Sequence, residues 1–268
     1  MIVCLTERIP DLHLKNILFH SRSIASWSSQ EELYQYLEPP RRKTISLRNS
    51  TDPVPSSPHV PAYVVMTPDP TALLELCLSD PSQVHVKICD FSESMIYNPD
   101  NHRKLHTPLV YAAPEILLDD VPSLASDVWA FAVLVHNIVS GDGGLFPSYH
   151  GILNEILREM VLALGKLPER WWLKWADRGQ YFDDNGRWVA DRKILLKISG
   201  QLIKVYPGRM DEQEKMCFEK MIRKMIAYEP RERATMNEVV KLIPDEWLTP
   251  KVHELIPRRR IRVDIHEC

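Results

Sequence analysis

Asp11 and Asn16 stand five positions apart in the stretch DLHLKNILF at 11–19, and Asp90 closes a run of alternating residues, VHVKICDF at 84–91. These residue types suit one chemistry. A carboxylate such as Asp11 can take the proton of an attacking hydroxyl. A carboxamide and a second carboxylate, Asn16 and Asp90, supply the hard oxygens that Mg2+ prefers when it is held against phosphates. Phosphoryl transfer needs such a set. Each part alone is unspecific. The D-x-x-x-x-N spacing arises by chance in most chains this size, Asp-Phe is only a dipeptide, and an aspartate in a turn or at a helix cap is the plainer reading of each.

Such residues need elements to position them. Residues 11–19 are apolar around a few polar groups, as in a loop that leads into a short strand, and 84–91 reads as a strand because it alternates and is rich in β-branched residues. SSQEELYQYL at 28–37 predicts a short helix, capped by Ser28 or Ser29, with Glu31 and Glu32 favoured at its N-terminus. Nine prolines between 39 and 81 discourage helix and central strand alike, so that stretch reads as an extended surface insert. From residue 123 the pattern turns helical. SLASDVWAFAVLVHNIVSG at 123–141 is apolar nearly all round, which implies deep burial, and Gly141 ends it. Further helices are predicted over 149–165, stopped by Gly165, over 212–230, closed by Pro230, and over 235–243. The last opens on a capping box, Thr235 with Glu238. The expected fold class is mainly α, within an α+β family, with a few short strands confined to the first hundred residues.

Composition narrows the function classes. A chain of 268 residues, 44% hydrophobic, is long enough for a sizeable core. A net charge of -3 gives no sign of bulk binding to nucleic acid, and the basic stretches PRRK (40–43) and PRRRIR (257–262) read as solvated surface. Cys4, Cys77, Cys89, Cys217 and Cys268 are scattered and odd in number, as reduced thiols of an intracellular protein would be. The first ten residues do not form a signal peptide, and VWAFAVLVHNIV at 128–139 is too short to span a bilayer. These features lead us to expect a cytoplasmic or nuclear protein with no membrane partner. Trp171, Trp172 and Trp175 read as packing rather than a ligand box, and the ten histidines show no metal spacing.

The order of further motifs raises the specificity. YAAPEILL (111–118), SDVWAFAVL (126–134) and YEPRERAT (228–235) follow Asp90-Phe91 in that sequence. Together with Asp11 and Asn16, the set Ala113-Pro114-Glu115, Asp127-x-Trp129 and Arg233 resembles the C-terminal lobe of a eukaryotic protein kinase, over roughly residues 11 to 248. EELYQYL, VPAYVV, KLHTPLVYAAPEILL and LGKLPERWWLKWADRGQYFDDNGRW resemble the SR-protein-kinase-like serine/threonine kinases of fungi, in which a proline-rich insert separates the catalytic loop from Asp-Phe. The resemblance implies ATP and Mg2+ as cofactors, a protein substrate of the Ser/Arg-rich kind, and no nucleic-acid partner. Asp11 would be the catalytic base, and Asn16 and Asp90 the metal-binding and cofactor-binding pair. Glu115 would pair with Arg233, and Asp127 would bond the catalytic-loop backbone, both as structural roles. The implied organisation is a non-matching leader (1–10), a kinase C-lobe (11–248, with an insert at 20–83) and a C-terminal tail (249–268).

The departures from that pattern carry expectations too. Ile9-Pro10 precede Asp11 where the family has His-x, so no arginine stands ready for a phosphorylated activation loop. Ser92 replaces the glycine after Asp-Phe, His13 replaces a lysine two after Asp11, and Ala112 stands where this group often has arginine. No G-x-G-x-x-G and no V-A-I-K occur, and SGDGGLF at 140–146 lies in the wrong place for a phosphate loop. The sequence therefore reads as a kinase fragment without the nucleotide-covering lobe, inactive on its own, with an exposed apolar face where that lobe or a partner would sit. Two other readings stand beside it: a non-catalytic pseudokinase scaffold, and a small-molecule kinase of the aminoglycoside or choline type, whose D-L-H-x-x-N loop His13 fits.

Overall fold

The computed structural model describes residues 7–8, 12–46, 59–80, 82, 84–96, 106–141, 144–148, 151–190, 210–243 and 247. Backbone contacts divide the chain into two units, Leu18–Ile88 and the remainder, Met1–Ile17 with Cys89–Cys268.

In the remainder, strand β1 (Glu7–Arg8) pairs antiparallel with β6 (Met95–Ile96), in the register Glu7↔Ile96 and Arg8↔Met95. In the Leu18–Ile88 unit, β2 (Ile17–Ser21) pairs with β5 (Val84–Ile88), and β3 (Arg42–Thr44) pairs antiparallel with β4 (Tyr63–Val65). Two short helices, α1 (Arg22–Ala25) and α2 (Gln30–Tyr34), follow β2. Of the two serines that could cap α2, Ser29 does so. Its hydroxyl accepts the Glu32 N–H at 3.3 Å, and the Glu32 carboxylate accepts the Ser29 N–H at 3.0 Å.

The proline-rich stretch is not extended throughout. Helix α3 (Thr71–Ser79) lies inside it. Between Pro70 and Pro81 the chain carries no proline, so nothing in TALLELCLS removes a helical N–H. Asp69 Oδ1 accepts the N–H of Thr71 at 2.9 Å and its hydroxyl at 2.6 Å, which fixes the entry. Along the β2–β5 ribbon Leu18, Phe19, Val86 and Ile88 are exposed.

The larger unit is helical: α4 (Pro114–Asp119), α5 (Leu124–Ser140), α6 (Leu153–Leu164), α7 (Glu169–Trp172), α8 (Glu212–Met225) and α9 (Met236–Leu242). The mainly α expectation holds. Capping boxes open three of these helices, at Ser123/Ser126, Asp211/Glu214 and Thr235/Glu238. Gly141 ends α5 at φ 67°, a left-handed conformation that glycine adopts without steric cost. Helix α8 stops at Met225, five residues before Pro230, which instead opens a 3-10 turn over Pro230–Glu232. The early stop has a cause. Arg233 takes the carbonyls of Ala227 (2.7 Å) and Tyr228 (2.9 Å), and a backbone that serves a buried guanidinium there cannot continue the helix.

The core is built around α5. Val128, Trp129, Ala132 and Val133 are buried, and Trp129 stacks on Phe146 with ring centroids 5.3 Å apart. The three tryptophans pack, as their spacing implies. Trp171, Trp172 and Trp175 are all buried, and Trp172 meets Trp175 edge-on at 6.0 Å. Their polar edges are served where they reach a partner. Trp171 Nε1 donates to Asp119 at 2.7 Å, and Trp175 Nε1 donates to Asn154 at 2.9 Å. Burial raises the Asp119 carboxyl, but the bonds from Lys174 and Trp171 outweigh it and hold the group below the usual carboxylate range. Among the described residues no helix is long and apolar enough to cross a membrane.

Gly186 gives a first prediction. It sits at φ 76°, and a Cβ there would lie 2.8 Å from the Cβ of Lys166, whose ammonium caps the Trp172 ring at 5.2 Å. Gly186→Ala is expected to destabilise the protein by about 2 kcal/mol, from left-handed strain plus displacement of Lys166. A urea titration followed by tryptophan fluorescence would read the loss. An unchanged midpoint would mean that the turn relaxes without cost.

Candidate active site

Asp11 lies outside the described residues. The segment after it is well defined. Leu12 is buried in the core, and His13 opens a 3-10 turn over Leu14–Asn16 as its N-cap, with Nδ1 accepting the Lys15 N–H at 3.1 Å. The turn ends on Asn16, which is buried. Its carbonyl accepts the N–H of Cys89 at 2.9 Å. One backbone bond thus brings together two residues 73 positions apart in sequence, and Asp90 follows Cys89 directly.

Asp90 is exposed and takes a left-handed backbone, φ 57°, uncommon for any residue but glycine. Strain of this kind persists where surrounding structure holds it. Ser92, the residue in the glycine position, contributes here, because its hydroxyl donates to Asp90 Oδ1 at 2.7 Å. The substitution therefore ties down the carboxylate rather than only stiffening the backbone. Phe91 is 55% exposed and adds nothing to the core.

The second cluster is buried. Arg233 and Glu115 form two parallel bonds, Nη1 to Oε1 at 2.6 Å and Nη2 to Oε2 at 2.7 Å. The remaining guanidinium donors go to the carbonyls of Ala125 (3.0 Å), Ala227 and Tyr228, so all five N–H groups are satisfied. The guanidinium also lies over the Trp129 ring at 5.0 Å. Ser126 donates to Glu115 Oε1 at 2.8 Å while also capping α5. Asp127 is half-buried in the first turn of α5.

Two links escaped the sequence reading. Ser126 stands three after Ser123, a spacing visible as a capping signal, but its bond to Glu115 needs the fold. The other is Tyr111. Its hydroxyl accepts from Asn137 Nδ2 at 2.9 Å, and its ring lies 5.9 Å from that of His13, so α5 is connected to the cap of the 14–16 turn. Nothing in the spacing of His13, Tyr111 and Asn137 announces that contact.

Comparison with known proteins decides the family. A model of the protein kinase domain matches residues 76–243, more than half of the chain. The chain belongs to the protein kinase family. Asp90, Glu115, Asp127 and Arg233 lie inside the matched kinase region, while Asp11 and Asn16 precede it. Among curated kinases, a serine/threonine protein kinase of Aspergillus fumigatus is 27% identical over 60% of this chain and 39% of its own length. The dual specificity protein kinase CLK1 of Mus musculus is 27% identical over 58% of this chain and 32% of its own. The serine/threonine-protein kinase AFC3 of Arabidopsis thaliana is 27% identical over 60% and 41%. The chain thus spans about two fifths or less of these kinases. A crystallised kinase domain superposes with a TM-score of 0.49 and 17% identity, over 88% of this chain and 59% of that one.

Proposed function

We propose that this chain carries the metal-binding part of a serine/threonine protein kinase site, and that the reaction it serves is ATP-dependent phosphoryl transfer to a protein hydroxyl. The observation that supports this best is the Cys89–Asn16 backbone bond, which brings buried Asn16 to the residue just before Asp90, whose backbone is left-handed and whose carboxylate Ser92 tethers.

The donor chemistry fits Mg2+. Asn16 and Asp90 offer hard oxygens, and magnesium, which keeps several waters, takes one or two protein groups plus phosphates rather than a closed cage. Among the described residues no cluster of three or more His, Cys, Asp or Glu is available to build such a cage. Bound there, Mg2+ would offset the negative charge of the transferred phosphate. Asp11 would take the proton of the serine or threonine hydroxyl as its oxygen bonds to phosphorus and ADP departs. Glu115, Arg233 and Asp127 perform no chemistry in this reading. Glu115 and Arg233 would hold the segment after Asp90 against α5, and Asp127 would bond the catalytic-loop backbone. With no G-x-G-x-x-G in the sequence, the phosphates would rest mainly on the metal pair, and nucleotide affinity of the chain by itself is expected to be weak. The proposed substrate class, a protein rich in Ser and Arg, rests on likeness to the fungal kinases.

Titration of the full chain with Mg2+ and ADP tests the reading. Asp90→Asn keeps shape and tolerates the left-handed backbone, but removes the carboxylate charge. It is expected to weaken Mg2+-dependent nucleotide binding at least about 10-fold. Binding that is indifferent to Mg2+ and to Asp90 would refute the assignment. Transfer of phosphate to an aminoglycoside but not to a Ser/Arg-rich protein would move the function to small-molecule kinases.

A further inference from the structure

We propose that His13 is a positioning residue for the metal-binding pair: its ring caps the 14–16 turn and so sets where Asn16 and Asp90 stand. The inference rests on the reading of Asn16 and Asp90 given above, and it concerns a position where this chain departs from the lysine of the family it resembles.

His13 fastens the turn twice, once through its ring and once through its backbone. Its Nδ1 accepts the Lys15 N–H at 3.1 Å, and its carbonyl accepts the Asn16 N–H at 3.0 Å. A three-residue 3-10 turn has no later turns to stabilise it, so the cap carries a larger share than it would in a long helix. The ring is held in place as well. It lies 5.9 Å from Tyr111, whose hydroxyl accepts from Asn137 on α5. A continuous route therefore runs from the buried α5 helix through Tyr111 and His13 to Asn16, and by the Cys89 N–H to Asp90.

The bond also fixes the ring's chemistry. A nitrogen that accepts the Lys15 N–H carries no hydrogen, so the neutral ring bears its proton on Nε2. A lysine at this position would have three donors and no acceptor, and it could not cap the turn. Asparagine, a preferred N-cap residue with a side-chain oxygen, could. A capping role and a role as a cation in the lysine's place thus predict opposite outcomes for two substitutions at one site.

The test uses the full 268-residue chain and Mn2+, visible by electron paramagnetic resonance, in place of Mg2+. Near-ultraviolet circular dichroism checks that each variant keeps its tryptophan core. His13→Ala and His13→Lys are each expected to weaken Mn2+ binding about 5-fold and to speed amide hydrogen exchange at Lys15 and Cys89. His13→Asn is expected to restore both to wild-type values. Ring 15N shifts of the wild type should report the Nε2–H tautomer. If Asp90→Asn weakens Mn2+ binding while His13→Ala leaves affinity and the two amides unchanged, His13 does not position the pair. Restoration by lysine but not by asparagine would equally overturn the cap. Equal Mn2+ affinity in wild type and Asp90→Asn would refute the metal reading first, and the proposal with it.

Discussion

Glu115→Gln is expected to cost the protein about 3–5 kcal/mol, the penalty for leaving a buried guanidinium without its counter-charge. The side chains of Arg233 and Glu115 are 0% and 5% exposed, so water cannot replace the lost partner. The amide keeps the size of the carboxylate, so the loss reports charge and bonding rather than a cavity. It would also turn an NH2 toward either the guanidinium or Ser126 Oγ, and one of the three bonds that converge on Glu115 must fail. Arg233→Met should cost a similar amount for a different reason. It strands the carboxylate together with the carbonyls of Ala125, Ala227 and Tyr228.

The double variant separates the pair from its surroundings. Removing both charges leaves no buried ion, and its cost should fall short of the sum of the singles by at least about 2 kcal/mol. It should remain destabilised, because the three carbonyls still lack a donor. Urea unfolding monitored at Trp129 and its neighbours gives all three values. Additive singles, or a Glu115→Gln cost below about 1 kcal/mol, would show that the pair is screened or relaxed and does not anchor the segment. The same variants bear on function. If the pair holds the stretch after Asp90 against α5, Glu115→Gln should weaken Mg2+-dependent binding at denaturant concentrations where the helical core is still intact.

How much of this was legible beforehand depends on the range of the interaction. Helix caps are local, and Ser123, Thr235, Gly141 and Gly165 all stand at element ends where their types place them. Burial of α5 and of the three tryptophans followed from apolar patterning, which is a property of one segment. What was not legible lies across segments. Helix α3 hid because proline density was averaged over 43 residues, although its own nine contain none. The early end of α8 hid because its cause, Arg233 drawing on Ala227 and Tyr228, is a tertiary demand that overrides helix propensity. At the site, residue types and order suggested Asn16 and Asp90 as partners, but only the fold supplies the Cys89–Asn16 bond, the left-handed Asp90 and the Ser92 tether. The role of His13 was further still from reach. A histidine in place of a lysine reads as a weakened phosphate contact, and its cap is visible only once the 14–16 turn exists.

His136 gives the second large effect, and it is a pH dependence. The imidazole is 2% exposed on α5, stacks on Phe218 of α8 with centroids 6.5 Å apart, and finds no hydrogen-bond partner of good geometry for either nitrogen. Burial disfavours the charged ring and lowers its pKa to about 4; the neighbouring Asn137 side chain opposes this only in part. In the unfolded chain the ring takes a proton near its ordinary value of about 6.5. Above that pH both states are neutral and His136 adds no dependence. As pH falls from about 6.5 to about 4 the unfolded state binds a proton that the folded state refuses, so stability declines through this window and levels off below it. The loss due to this one group is expected to reach about 2–3 kcal/mol between pH 7.5 and 4.5. His136→Met fills the site with an apolar chain and removes the titration. Carboxylates such as Glu229, held low by its bond to Arg170, also lose stability in acid, but they do so in both proteins and cancel in the comparison. Unfolding free energies of wild type and His136→Met at the two pH values should therefore diverge, with the variant losing about 2–3 kcal/mol less on acidification. Parallel acid losses in the two proteins would mean that the ring already carries its proton in the folded core, paired in a way that burial alone does not allow.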